Sequence, residues 1–351
     1  MIYAAADLHI CRFVWQSRKD MEGDSFRALA AMGDMILRDE VPAGEKKTVL
    51  LAGDLFDAKK VDGPTLEAFT KFVDDMYDAD IPVYFTQGNH EFNPVMPIAA
   101  VQGATSLEGA PITVDGRIVK GLDYRPPTEL KEALASIGAC DILVLHCGME
   151  HLVSYAPAAD ISIADLPATV KHVVVGDIHV SHKLPLPSGG FCVSPGPLHP
   201  CTVTQGGPKG FFKIGASESD WTFVDIGSRD VLRFEILTEG DWDVALERIA
   251  SKTGPSPIIE LKYTGDVAEQ VSAWVAENGS KFSIFEYTIP NEIEMEVPCA
   301  EGEELSLCNV LPYVLPEGDA LALAQALVNN PDDAERLVGN KIEEIRNDTA
   351  N

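Results

Sequence analysis

The chain has 351 residues, 46% of them hydrophobic, and a formal net charge of −28 at pH 7, the composition of a globular protein long enough for two domains or for one large domain with an extension. No apolar run approaches the roughly 20 residues of a membrane span, and the opening Met1-Ile2-Tyr3 reads as strand rather than as a charged leader, so neither a membrane segment nor a signal peptide is expected. The excess of acid argues against a broadly basic nucleic-acid surface, because phosphate contacts normally supply most of that affinity; cations, a local basic patch or a partner would have to compensate.

Residues 2–6 are apolar and run into Asp7-Leu8-His9. A loop with Arg12, Arg18 and Lys19 leads to a helix over about 24–38, whose Phe26, Leu29, Ala30, Gly33, Ile36 and Leu37 share one face at helical spacing. The run Thr48-Val-Leu-Leu-Ala52 reads as a strand buried on both sides; it turns at Gly53 and presents Asp54, with Asp57 three positions on. Gly63-Pro64 opens a second helix, with Leu66, Phe69, Val73, Met76 and Tyr77 inward. Val83-Tyr-Phe-Thr86 then runs into Gly88-Asn89-His90-Glu91. This β-α-β-α-β order predicts a sheet that is at least partly parallel.

Asp115-Gly116 between two β-rich runs, 112–114 and 117–119, predicts a two-residue hairpin. A helix over about 128–137 precedes Ile142-Leu-Val-Leu145, which ends at His146, and a polar segment through Pro157 and Pro167 leads to Val173-Val-Val175 and Gly176-Asp177-Ile178-His179. Short strands near 191–194, 210–214 and 221–226 are expected to complete a second, more antiparallel sheet. Residues 230–290 read strand (231–237), helix (242–250), strand (257–263), helix (267–276), strand (282–288), a compact βαβαβ cap. From Glu292 the chain is acidic and less periodic, and two helices are expected near 319–328 and 332–346; Leu337, Val338, Ile342 and Ile345 make a narrow stripe suited to docking. Residues 1–213 hold 18 Lys+Arg and 27 Asp+Glu, or −9, and residues 214–351 hold 9 and 28, or −19. The plain reading of that acidic half is solubility and salt tolerance.

Five apolar strands thus end in Asp, Asn or His, and in open α/β sheets ligands bind at the carboxyl ends of strands. Singly, an Asp-x-His or a Gly-Asn-His is more often structural than a ligand. Five in series, each after a strand, form a constellation. Carboxylate, imidazole and amide oxygen suit borderline-hard divalent ions such as manganese or iron, and the donors suffice for two. Two such ions can clamp a phosphoryl group and stabilise the attacking and leaving oxygens of an in-line displacement, which points to phosphoester hydrolysis. The seven cysteines are scattered, odd in number and without a Cys-x-x-Cys pair, so no disulfide framework or structural zinc site is expected and a reducing cytoplasm fits.

These blocks, in this order over residues 7–179, resemble the calcineurin-like metallophosphoesterase superfamily. Val193-Ser-Pro-Gly-Pro-Leu-His199 followed by Lys209-Gly-Phe-Phe212 is similar to the segment that closes the nuclease domain of the SbcD/Mre-type DNA nucleases, and the cap and tail match that family's layout. The resemblance implies an α/β fold: a two-sheet αββα sandwich over 1–228, a small α+β capping domain over 229–303 and a helical, partner-binding tail over 304–351. It implies two Mn2+, with Fe2+ or Mg2+ as alternatives: Asp7, His9 and His179 on one ion, Asn89 and His146 on the other, Asp54 bridging. His90 becomes the general acid for the leaving sugar oxygen, steadied by Glu91 or a nearby carboxylate, and Asp57 orients ligands through hydrogen bonds. The family has Gly-His-x-His where this chain has Gly176-Asp177-Ile178-His179, so Asp177 replaces a histidine ligand; a carboxylate there would hold the ion tighter and make it a weaker Lewis acid. Of the spare histidines His151, His172 and His182, the last is best placed to substitute for the missing imidazole or to touch phosphate.

The function implied is a 3′ to 5′ exonuclease and single-strand endonuclease subunit that partners DNA, an SbcC-like ATPase bound through 304–351, and a second copy of itself; the brevity of the chain fits a phage origin. A small-molecule phosphodiesterase or nucleotidase, and a non-catalytic scaffold, are the alternatives.

Overall fold

Alternate residues of the apolar runs serve different cores, and that alternation builds the layers. The structure, a computed structural model, describes residues 1–13, 19–58, 60–90, 101–152, 159–217 and 220–289. Arg18, Glu91, Pro157 and the expected tail helices at 319–328 and 332–346 lie outside the described residues. All of the described residues belong to one compact unit, Met1–Ile289, and among them no helix is long and apolar enough to cross a membrane.

The first sheet begins with β1 (Ile2–Ala5). After α1 (Asp24–Arg38) come β2 (Thr48–Ala52), α2 (Gly63–Asp78), β3 (Val83–Thr86) and β4 (Ala104–Ser106). β1, β2, β3 and β4 pair in parallel, with α1 and α2 as the crossovers between the first three. Tyr3, Ala5, Val49, Leu51, Val83 and Phe85 face outward against Leu29, Met32 and Ile36 of α1 and Phe69, Val73 and Met76 of α2. α2 starts where expected, because the Asp62 carboxylate accepts the Thr65 N–H at 2.9 Å and a proline occupies the first turn.

The second sheet starts at the hairpin of β5 (Ile112–Val114) and β6 (Arg117–Gly121), where Asp115 and Gly116 take φ of 46° and 78° as a type I′ turn demands. α3 (Pro127–Ser136), β7 (Cys140–His146), β8 (Val170–Gly176), β9 (His182–Pro185) and β10 (Phe191–Ser194) follow, and the strand order is β5-β6-β7-β8-β10-β9. Leu143, Leu145, Val173 and Val175 pack outward with Leu130 and Leu134 of α3. Ile142, Val144 and Val174 face inward and meet Ile2, Ala4, Ala6, Leu50 and Ala52 of the first sheet. Helix, sheet, sheet and helix make an αββα sandwich.

One expectation about the sheets is corrected. The late strands do not form one sheet: β10 pairs in parallel with β8, whereas β11 (Gly210–Ile214) crosses to the first sheet, pairs antiparallel with β1 and carries β12 (Trp221–Asp225) outside it. Short strands with similar burial patterns carry no record of their partner, and here the connection over 195–209 decides it.

The expected βαβαβ unit is present. β13 (Val231–Ile236), α4 (Glu239–Ala250), β14 (Ile258–Tyr263), α5 (Ala268–Asn278) and β15 (Ser283–Thr288) form a parallel three-stranded sheet around Leu232, Ile236, Trp242, Ile259 and Leu261. Arg229 ties this unit to the start of α1: it donates to Asp24 Oδ2 at 2.9 Å, to the Ser256 carbonyl at 2.7 Å and to Ser283 Oγ at 2.6 Å. Hydrogen bonds to charged groups contribute about 1.5–3 kcal/mol each, so Arg229→Ala should destabilise the chain by at least about 2 kcal/mol. The expected reading is a lower urea midpoint at unchanged slope.

Candidate metal centre

The ends of β1, β2, β3, β7 and β8 lie together at one edge of the sandwich, and the chain turns there at once. Asp7 (φ 51°), His9 (38°), Asp54 (48°) and Asp177 (78°) all adopt the left-handed region, and they are four of the seven described non-glycine residues that do. That region costs an L-residue about 1–2 kcal/mol, and concentration of such residues in one place marks a functional site. The first two loops are zipped together: the Asp7 N–H donates to the Gly53 carbonyl at 3.1 Å and the His9 N–H to the Asp54 carbonyl at 2.9 Å. Two motif glycines are required by close approach. A Cβ on Gly88 would stand 2.0 Å from Asp54 Oδ1, and one on Gly176 would stand 2.0 Å from the Ala52 carbonyl oxygen.

Asp54 occupies the centre. Its Oδ1 lies 3.3 Å from His146 Nε2, and its Oδ2 lies 3.6 Å from His9 Nε2 and 3.9 Å from His90 Nε2. It belongs to two groups of metal-type donors whose atoms fall within 4.8 Å of one another, Asp7/Asp54/His146 and His9/Asp54/His90; a third group is His9/His179/Cys201. His9 Nε2 and His179 Nε2 face each other at 3.1 Å. His146 Nδ1 donates to the Ala52 carbonyl at 2.9 Å, which turns Nε2 toward the site. The inward atom of the Asn89 amide is 3.2 Å from His146 Nε2 and 3.1 Å from both Asp54 oxygens. With nitrogen inward it donates to them; with oxygen inward it adds to a ring of acceptors that a cation satisfies.

Asp7, His9, Asp54 and His146 form a buried floor, while His90, Asp177 and His179 are half-buried and Asn89 is exposed at the rim. Asp177 contributes in two ways. Its backbone N–H donates to Asp7 Oδ1 at 2.7 Å, and its own Oδ1 is 3.8 Å from His146 Nε2. Asp57 stands beside two of the rings, with Oδ1 3.3 Å from His9 Nδ1 and its backbone carbonyl accepting from His90 Nδ1 at 2.8 Å. His90 is thus steadied by a main-chain carbonyl, and Glu91, named with it, is outside the described residues.

The charges call for a cation. Among the described residues the ion-pair partners of Asp7 and Asp54 are histidines, with no lysine or arginine. Burial alone would raise the Asp54 carboxyl, but the hydrogen bond and charge of His146 override it and hold it low; the same contacts drive His146 upward against its own burial. Asp177 is pushed up to about 6, by burial first and then by the charges of Asp7 and Asp54, with His146 opposing. Asp7 Oδ2 is buried without a hydrogen-bond partner. Buried carboxylates are stable when paired or bound to metal, and oxygen and imidazole donors converging around them fit divalent ions.

Two residues near the centre escaped the sequence reading. Cys201 joins His9 and His179. Gln205 accepts the Cys201 N–H at 2.9 Å through Oε1 and sets its Nε2 2.6 Å from His179 Nδ1. In that orientation His179 carries its proton on Nε2; to offer Nε2 to an ion it needs the amide turned over, with Oε1 accepting from Nδ1. Nothing in their residue types announced either one, because they sit on a loop placed by contacts distant in sequence. Loss of such a supporting partner costs about 10–100-fold in metal affinity. Gln205→Ala should therefore weaken metal binding by about tenfold in a titration, while Gln205→Glu, which accepts in either orientation, should not. The spare histidines stand elsewhere. His172 is buried, its ring 4.5 Å from Trp221 with Nδ1 accepting the Phe191 N–H; His182 lies on β9 opposite Ser194; His151 is exposed; none joins a donor group among the described residues.

A two-sheet sandwich carrying carboxylate and imidazole donors at the carboxyl ends of its strands is the setting of a metal-dependent phosphoesterase. The calcineurin-like phosphoesterase family matches residues 1–181, and the chain belongs to that family. It is similar to the DNA double-strand break repair protein Mre11 of Nanoarchaeum equitans, with 32% identity over 91 residues, 26% of this chain and 24% of that protein; the match thus spans about a quarter of that relative. A crystal structure of a hypothetical protein from Thermus thermophilus aligns with a TM-score of 0.34 at 14% identity, over 56% of this chain and 76% of that one.

Proposed function

We propose that this chain is a Mn2+-dependent DNA nuclease subunit, a 3′ to 5′ exonuclease and single-strand endonuclease that works with an SbcC-like ATPase. The observation that carries phosphodiester hydrolysis is Asp54, whose Oδ1 lies 3.3 Å from His146 Nε2 and whose Oδ2 lies 3.6 Å from His9 Nε2, beneath a rim that presents His90. Asp7, His9 and His179 would hold one ion, Asn89, His146 and Asp177 the other, with Asp54 between them. Two ions held there would supply positive charge to a phosphoryl group and to the oxygens that attack and leave it. The side chains have separate tasks. The Asp177 N–H and the His90 N–H, the latter 3.0 Å from Asp54 Oδ1, hold the carboxylates in place. His90, with Nδ1–H engaged by the Asp57 carbonyl, directs Nε2 into the rim, where its protonated form gives a proton to the leaving sugar oxygen.

The choice of DNA is supported by the nuclease-like segment that begins at Val193 and by the Mre11 match. Ser194 Oγ bonds the Ile178 carbonyl at 3.0 Å, and a Cβ on Gly196 would meet the backbone of Val180 and His179 at 3.2–3.3 Å, so the segment braces the loop that carries His179. Residues 1–228 then form the nuclease domain, 229–303 the cap and 304–351 the ATPase-binding tail, and the active form is a homodimer. With a net charge of −28, DNA contact is confined to the metal face and largely supplied by the partner, so the isolated chain should bind DNA weakly.

The test is turnover of double-stranded DNA, single-stranded DNA and bis-p-nitrophenyl phosphate under Mn2+ and under Mg2+. DNA cleavage with Mn2+ is expected. Turnover of the small ester alone would favour the small-molecule phosphodiesterase that the acidic surface also suits, and no turnover of any substrate would leave a scaffold.

A further inference from the structure

We propose that Cys201 is a ligand of this centre: its thiolate joins His9 and His179, so that their half of the site takes a softer divalent ion than the half formed by Asn89, His146 and Asp177. The inference rests on reading His9 and His179 as ligands, and it names the chemical class of ion that they share. Donor atoms of the three residues lie within 4.8 Å of one another, and the two imidazole nitrogens are already 3.1 Å apart. Bonds of about 2.0–2.1 Å to nitrogen and 2.3 Å to sulfur place the donors of one ion at this order of separation.

The position of the thiol is built rather than incidental. Its loop is fastened to both ligand loops: His199 Nε2 donates to the carbonyl of Leu8, the residue between Asp7 and His9, at 3.1 Å, and Gln205 joins the Cys201 N–H to the ring of His179. The thiol itself has a weak contact, 3.7 Å to the His199 carbonyl. Cys140, Cys147 and Cys192 are packed in the apolar layer under the second sheet, whereas Cys201 is half-buried beside two imidazoles.

On binding, the sulfur–metal bond forms as the S–H bond breaks and the proton passes to solvent, with no redox change. A thiolate added to the two imidazoles beside Asp7 and Asp54 shifts that half toward zinc, cobalt or ferrous iron, and the half without sulfur keeps the harder preference. The two halves then differ in the ion they select.

Cobalt(II) reports this without any turnover. The full chain, stripped with chelator, is titrated with cobalt while bound metal is counted by equilibrium dialysis and the absorption spectrum is recorded. The expected result is a near-ultraviolet sulfur-to-cobalt charge-transfer band in the natural chain that Cys201→Ser loses while its visible cobalt bands remain. Bound cobalt without that band in the natural chain, or a band that persists in Cys201→Ser, overturns the assignment and leaves the metal centre standing. No bound cobalt at all overturns both. Should Cys201→Ser fail to fold, alkylation of the natural chain decides: cobalt at about ten times its dissociation constant should slow iodoacetamide labelling of Cys201, mapped by peptide mass, about tenfold, and unchanged labelling overturns the proposal.

Discussion

Asp54→Asn should reduce bound metal from two ions per chain to at most one and lower kcat/KM for phosphodiesters by more than the roughly 100-fold that loss of a supporting contact costs. The substitution keeps the shape of the side chain and an oxygen able to accept the His90 N–H, now 3.0 Å from Oδ1. What it removes is the negative charge between His146 on one side and His9 on the other. Both donor groups that contain Asp54 lose a carboxylate together, whereas loss of Asp7 touches one of them. Gly88→Ala alters no donor atom but drives a Cβ to 2.0 Å from Asp54 Oδ1, and it should reproduce the same defect by displacing the carboxylate. Metal analysis of the purified variants separates the outcomes: two ions still bound by Asp54→Asn would sink the bridging role.

The strand ends were legible because two physical signals coincide there. A short, β-branched apolar run bounded by turn residues reads as a buried strand, and a ligand-type residue directly after it stands at the sheet's edge. Ala4, Ala6 and Ala52 line the contact between the sheets, and Asp7 and Asp54 follow them at the edge of that contact, so one alternation sets both the core and the floor of the site. The loops were legible only in part. His199 reaches Leu8 across 191 positions, and no local pattern records that approach, so Cys201 and Gln205 passed for ordinary residues of a Pro/Gly-rich segment. One support of His90 was not foreseen for a related reason: its Nδ1 meets the backbone carbonyl of Asp57, and every residue has one. Asp177 stood out in the sequence as a departure from the family's histidine. The backbone bond from this residue to Asp7 uses only its N–H, and the left-handed turn is one that aspartate and histidine both tolerate.

The second large effect is expected at His90, and its size depends on the leaving group. A positioned general acid contributes about 10²–10⁴-fold, but only where the departing oxygen needs a proton. A sugar alkoxide is a poor leaving group and p-nitrophenolate a good one. His90→Ala should therefore lower DNA cleavage by about a hundredfold or more, and it should lower hydrolysis of bis-p-nitrophenyl phosphate far less. Metal binding should be spared, because the ring leans out from the buried floor: its side chain is 40% exposed against 2% for Asp54, and it makes its nearest bond to a main-chain carbonyl. His90→Gln offers a donor of similar reach that cannot carry the proton charge, and it should be as slow as alanine on DNA if proton transfer is the task. Equal losses on both substrates with metal content intact would show that His90 positions the phosphate rather than protonating the leaving oxygen. A loss of bound metal would place it among the ligands, beside His9, whose ring it already meets edge to face at 4.9 Å.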